Sequence, residues 1–406
     1  MTSDAVEPRA QPDGMPSGLL PLLTLLIFVV MADARVMTAV LPEIADDLNS
    51  SVAAAGLALT AYLLAYGVFQ LAYGPLADRV GALRVMSIAC VVLVVMLAAG
   101  AFAPNLTGLV GVRFLTGAVA AAVFPLALAT VGNLVPYDHR QAAIGTLLAA
   151  VALGQVLGAA IGGIVTDALS WRAMFAIDAA LAAALVIPLW RFRGSVSGHE
   201  SGGDPALAAH RRLLRDPRAV LLYLLVTLEG AAFFGGTAYL GALLHDEYGL
   251  ALAWVGLILM LDGVAIFVTS RRIGRIGARF GENRLIAVGG TLMGASFLFV
   301  LAFDRWEAAV PAVVAMGVGF ALCHTTLQVR ATELDPAARG TAISLFAFGL
   351  FVGSALGTAV LGRLLAATGY DVALLASGLA LLVLALVAPR STAPRPRPAA
   401  APATPS

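Results

Sequence analysis

The sequence contains no lysine: every one of its 25 basic residues is arginine. This excludes a P-loop lysine, a Schiff-base lysine and a lysine general base, so the chain is not the P-loop ATPase of a primary pump. Charge of either sign is scarce, at 12% of 406 residues, and the net charge of +1 leaves no basic excess for nucleic acid. Only two cysteines occur, Cys90 and Cys323, each inside a long apolar run. Neither a disulfide framework nor a cysteine zinc site has the clustering it needs. The five histidines form no HExxH-like pattern, so no metal is expected. No nucleophile–base pair is evident, which makes an enzyme the least supported class.

What is present is apolar surface. Hydrophobic residues make up 60% of the chain, against about 45–50% in soluble domains. A membrane span needs about 20 mostly apolar residues. Twelve such runs are found, at 19–41, 52–73, 85–102, 109–131, 142–166, 174–190, 219–244, 251–270, 285–303, 308–329, 341–367 and 372–388. Lipid leaves an open backbone unsatisfied, so the spans must be helical. The first run is read as a span and not as a signal peptide, because eleven more follow it and Arg9 is outnumbered by Asp4, Glu7 and Asp13. With the N-terminus inside, twenty of the 25 arginines fall in inner segments. The positive-inside rule is then satisfied with both termini cytoplasmic. The outer loops collect Glu43, Asp46, Asp47, Asp167, Asp246, Glu247, Asp304, Glu307 and Asp371. The expected organisation is a cytoplasmic tail (1–18), a six-helix bundle (19–190), a polar linker (191–218), a second bundle (219–388) and a disordered Pro/Ala tail (389–406).

The halves repeat. Gly74, Arg79, Gly81 and Arg84 recur 200 positions later as Gly274, Arg279, Gly281 and Arg284. Gly154, Gly158 and Gly163 recur 199 positions later as Gly353, Gly357 and Gly362, and Pro136 is matched by Pro336. The segment after span two, Gly74-Pro-Leu-Ala-Asp78-Arg79-Val-Gly81-Ala-Leu-Arg84, resembles motif A of the major facilitator superfamily. Arg113-Phe-Leu-Thr-Gly117 resembles motif B, with Thr116 where glutamine is common. Gly154-x-x-x-Gly158-Ala159-x-x-Gly162-Gly163 resembles motif C, which is associated with drug-exporting antiporters; Ala159 replaces its proline. Asp33…Leu41-Pro42 and Trp171-Arg172 are also similar to family patterns.

The resemblance implies an all-α membrane protein with two pseudo-symmetric six-helix bundles, nearest the twelve-helix drug/proton antiporters. It implies alternating access to a midplane site, a monomer in the bilayer of the cell's inner membrane, no cofactor, and a proton gradient as the drive for a small-molecule substrate. Motif A implies a cytoplasmic latch, with Gly74 and Gly81 bending the loop and Asp78 set against a helix N-terminus. Motif C implies close packing along one face of span five.

Ionisable residues inside spans are costly and point to function. Asp33 and Arg113 both read as lying in the outer half of the first bundle, where they can pair. The resemblance gives Asp33 the role of proton carrier and Arg113 that of its modulator. Glu229, near mid-span, is a second proton-site or substrate-site candidate. Asp262, His324, Gln328, Phe233 and Phe234 are candidate cavity residues, with His324 and Gln328 on one helix face. Asp178 is read as structural. Motif C favours export, while Ala159 leaves import of a nutrient such as a sugar, organic acid or amino acid open. A non-transporting membrane protein is disfavoured by motif A and by the Asp33/Arg113 combination.

Overall fold

The computed structural model describes residues 15–194, 204–335 and 338–392. The first fourteen residues, linker positions 195–203, Pro336 and the tail from 393 lie outside the described residues. Among the described residues there are fifteen α-helices and no strand. They are α1 (Leu19–Asp47), α2 (Val52–Val80), α3 (Ala82–Ala101), α4 (Leu106–Ala120), α5 (Val123–Leu134), α6 (Tyr137–Ala168), α7 (Trp171–Leu189) and α8 (Asp204–Leu213). There follow α9 (Pro217–Asp246), α10 (Leu252–Ser270), α11 (Ile273–Phe280), α12 (Glu282–Phe303), α13 (Ala309–Thr332), α14 (Arg339–Thr368) and α15 (Tyr370–Ser391). Twelve segments are long and apolar enough to cross a membrane, α4 and α5 together forming one of them. The break between α4 and α5 lies just before Pro125, which has no N–H to bond the carbonyl of Ala121.

Local chemistry starts these helices. Ser51 accepts from Ala54 N at 3.2 Å, Asn105 from Gly108 N at 2.8 Å and Ser170 from Ala173 N at 3.1 Å. Asp216 caps α9 ahead of Pro217, accepting from Arg218 N at 2.9 Å. Each cap satisfies a backbone donor that the first turn leaves open.

Helices overrun the apolar runs. α1 continues through Pro42 to Asp47, so Glu43, Asp46 and Asp47 sit on helix and not in a loop. Asp33 accordingly lies midway along α1, deeper than the sequence suggests. α2 runs straight through Gly74 and Pro75 to Val80. Gly74 is therefore helix interior and makes no turn. The bend belongs to Gly81 (φ 97°), and its repeat partner Gly281 has φ 78°, a left-handed conformation in which only glycine is unstrained.

Two stretches expected to be loops carry helices. The linker contains α8, whose Arg212 holds Asp335 at 2.9 Å. The segment after span eight contains α11. The final helix reaches Ser391, beyond the expected tail boundary at 389, because buried Arg330 fastens its end. Arg330 donates to Thr392 Oγ1 (2.6 Å), Pro389 O (3.3 Å), Glu282 Oε2 (3.0 Å) and Asn283 Oδ1 (2.7 Å).

The chain forms two compact units. The first comprises Met1–Ser201 with Leu250–Met260, the second Gly202–Gly249 with Leu261–Ser406. In the first, α1 packs along α6, α2 along α4, and α3 along α7; in the second, α9 packs along α14 and α12 along α13 and α15. The opening turns of α10 belong to the first unit because Asp167, at the end of α6, caps them. Its carboxylate accepts from Leu252 N (3.1 Å) and Ala253 N (2.7 Å).

The second unit gathers acids at one end. Burial, then the charges of Asp371, Asp304 and Asp246, push the Glu247 carboxyl above its usual range. Burial and the bond to Asp304 push the Tyr248 hydroxyl up to about 12. A raised carboxyl pKa means that folding takes up protons, so stability is lost as pH rises through the glutamate range. Glu247→Gln is expected to raise the thermal midpoint in neutral buffer. The gain should vanish in acid below the ordinary glutamate pKa; a gain of equal size there would contradict this account.

Candidate functional site

Glycines set the geometry of the first unit. A Cβ on Gly154 would lie 2.7 Å from Phe28 O, one on Gly158 2.6 Å from Ala32 O, and one on Gly162 3.0 Å from Val36 Cγ1. These three share a face and seat α6 directly on α1 around residues 28–36, the stretch that carries Asp33. Gly163 faces α10 instead, where a Cβ would lie 2.1 Å from Leu252 O. The repeat holds at this level: Gly353 and Gly357 place α14 on α9, with a Cβ 2.1 Å from Thr227 O and from Ala231 O respectively. Gly117, which ends motif B, presses α4 onto α2, where a Cβ would meet Tyr62 O at 2.2 Å.

That approach brings Arg113 to Asp33. Arg113 Nη1 donates to Asp33 Oδ1 at 2.7 Å and to Oδ2 at 3.0 Å. Arg113 is 0% exposed and Asp33 2%. The guanidinium lies 4.3 Å over the Tyr62 ring and 5.4 Å from that of Phe175; desolvated cation–π contacts of this kind reach about 2 kcal/mol. Arg113 Nε and Nη2 have no hydrogen-bond partner among the described residues. The pair is thus held by one nitrogen only. Thr116, in place of the common glutamine, bonds Val112 O of its own helix at 2.8 Å and adds nothing to the pair. Trp171 and Arg172 both donate to Asp47, tying α7 to the end of α1.

In the second unit, Glu229 Oε2 faces His324 Nδ1 at 2.9 Å. Glu229 is fully buried, and its Oε1 has no partner among the described residues. Phe320 stacks on His324 (4.5 Å, 11°) and on Phe233 (4.6 Å, 26°), while Phe234 and Phe346 meet the same stack edge-on or tilted. Phe234 is half-buried. Gln328, one turn from His324, is exposed and stands apart from this cluster. Asp262 is buried where α13 crosses α10, with its carbonyl 2.2 Å from a Cβ on Gly317. Motif A is on the surface: Asp78, Arg79 and Arg84 are exposed. Asp78 sits in the last turn of α2, where its own helix dipole disfavours an acid; local stability does not account for it.

The sequence alone does not mark Tyr62, Phe175 or Phe320 as site residues. Aromatic residues in apolar helices carry no signal of their own, and only their distance to a buried charge identifies them.

Comparison with known proteins identifies the family and the fold. The family model described as Major Facilitator Superfamily matches residues 23–337 and 273–406. A chloramphenicol resistance protein of Streptomyces lividans is 31% identical over 91% of this chain and 95% of its own. A probable sugar efflux transporter of Helicobacter pylori is 23% identical over 84% and 88%. The crystal structure of the nucleoside transporter NupG has the same fold, with a TM-score of 0.72 at 17% identity over 92% of this chain and 99% of its own. The chain is a multi-pass membrane protein and belongs to the Major Facilitator Superfamily.

Proposed function

We propose that the protein is a proton-coupled exporter of small apolar or amphipathic compounds across the plasma membrane, working as a monomer by alternating access. The observation that carries this reading is the Asp33–Arg113 pair: a carboxylate and a guanidinium, both out of water, joined through one nitrogen. Buried pairs contribute poorly to stability, so a pair retained in the interior of a membrane-spanning bundle asks for another role. Protonation of Asp33 removes its charge and frees Arg113, which releases the ion pair that links α1 to α4. The transmembrane proton gradient can thereby drive a change of state without any cofactor. Motif A, with Asp78 on an exposed helix end, fits a latch for one of the two states. Motif C serves as the seat of α1 on α6, and so fixes the depth of Asp33.

Glu229, His324 and the Phe233–Phe320 stack form the candidate substrate contact. They combine a flat apolar surface with one acid, suited to an aromatic or amphipathic compound. The chloramphenicol resistance relative makes chloramphenicol the first probe, and the sugar efflux relative adds neutral polar compounds to the panel.

In inside-out vesicles holding a preformed proton gradient, adding a transported compound is expected to discharge the gradient. Asp33→Asn should abolish that discharge while leaving the protein folded in the membrane. Silence across a chemically varied panel, or normal discharge by Asp33→Asn, overturns the antiport reading.

A further inference from the structure

Arg113 is faced by a second acid. Asp178 lies on α7 one turn from Phe175, whose ring contacts the Arg113 guanidinium, so both project from the same face of the helix. Asp178 is 3% exposed, and its Oδ2 has no partner among the described residues. The charges of Asp33 and Arg113 both act on it. The arginine has two donors open, Nε and Nη2, and the aspartate an acceptor open. α7 packs on α1, α3 and α6. The ionisable groups that interact with Asp178 are Asp33 from α1, Arg113 from α4 and Tyr62 from α2. The ionisable residues of α6 lie at its two ends, Tyr137, Asp138, His139 and Arg140 at one and Asp167 at the other. α1 also carries the buried Arg35, but the charges that act on Asp178 are those of Asp33 and Arg113, so Arg113 is the cation these two buried acids share.

Charge counting then constrains the site. Two carboxylates and one guanidinium would leave an uncompensated charge in a dry interior, which a protein avoids by neutralising one group. We propose that Asp178 is the second acid of this proton site, exchanging with Asp33 for the single cation Arg113. This rests on the proton-coupling reading above.

In one state Asp33 is the carboxylate bound to Arg113 and Asp178 is the neutral acid. In the other, Asp33 has taken a proton from water and Asp178 has released one to water. The Asp178 carboxylate then accepts from the two open donors of Arg113. One O–H bond forms and one breaks, no electrons are transferred, and the site stays neutral throughout. One proton crosses the site per exchange.

The test is infrared spectroscopy on the purified full-length protein without substrate, carrying an isotope label in aspartate carboxyls. In neutral buffer the wild type is expected to show a protonated-aspartate carbonyl band that is lost in Asp178→Asn. The same band should be lost in Asp33→Asn, because Asp178 then ionises onto the freed Arg113. A purely structural Asp178 would leave the band independent of Asp33. A band that survives either substitution overturns the proposal. Should Asp178→Asn fail to fold, Asp178→Glu moves the acid out of the aspartate label and must abolish the same band. The antiport reading fails separately: coupled transport by Asp33→Asn sinks that reading, whereas loss of coupling together with a persisting band sinks only the role of Asp178.

Discussion

Arg113→Gln is expected to remove gradient-driven transport and to destabilise the protein by about 3–5 kcal/mol, the range for stripping one partner from a buried pair. Glutamine cannot replace the cation that satisfies both Asp33 oxygens, nor the charge held over Tyr62. The loss measures the orphaned carboxylate more than the bond itself. The double variant Asp33→Asn/Arg113→Gln should therefore be more stable than Arg113→Gln alone, because it removes the orphan. Neither should transport against a gradient. Thermal unfolding of the three variants in one detergent, beside vesicle transport, decides the matter. A double variant no more stable than Arg113→Gln would mean that the pair does not couple energetically.

The same pair shows what the sequence made legible. Asp33 and Arg113 stand out in a sequence because an ion inside an apolar run is rare, and the topology puts them in one bundle. Their partners are harder to see. Asp178 looks like another buried polar residue until Phe175, three positions earlier, is found against Arg113. Hydropathy likewise gives the lipid-matched part of each span but not its helix ends. α1 continues six residues past Leu41 to Asp47 because a helix does not stop where lipid ends. It stops at a backbone signal such as Gly81, whose positive φ is visible only in the structure. For the same reason Gly74-Pro75, which reads as a turn, lies inside α2: a proline kinks a long packed helix more readily than it ends it. The 199-residue repeat carried more information than any single motif. It marks Gly353 and Gly357 as the seats of α14 on α9, as Gly154 and Gly158 seat α6 on α1.

Glycine supplies the second large effect, and a contrast within one residue type. In Gly158→Ala the new methyl would sit 2.6 Å from Ala32 O and 2.9 Å from Ala32 Cα. Both are backbone atoms that no rotamer change can move, so α6 must lift off α1. Overpacking of this kind costs about 1–3 kcal/mol, and the displaced strip of α1 ends one residue from Asp33. Transport should fall with stability, because the Asp33–Arg113 geometry depends on that seat. Gly74→Ala makes the opposite case. Nothing lies within 4 Å of its Cβ, and the position is exposed helix interior. There alanine should stabilise by about 0.5–1 kcal/mol, since glycine loses more backbone freedom on folding. Transport by Gly74→Ala then separates two meanings of motif A. Unchanged transport confines the motif to Gly81 and the charged side chains. Reduced transport in a protein that has become more stable means that α2 must flex at Gly74 during the cycle, a role that packing in the present state does not require. A destabilised Gly74→Ala, or a Gly158→Ala as stable as the wild type, would break the link between these contacts and the energetics drawn from them.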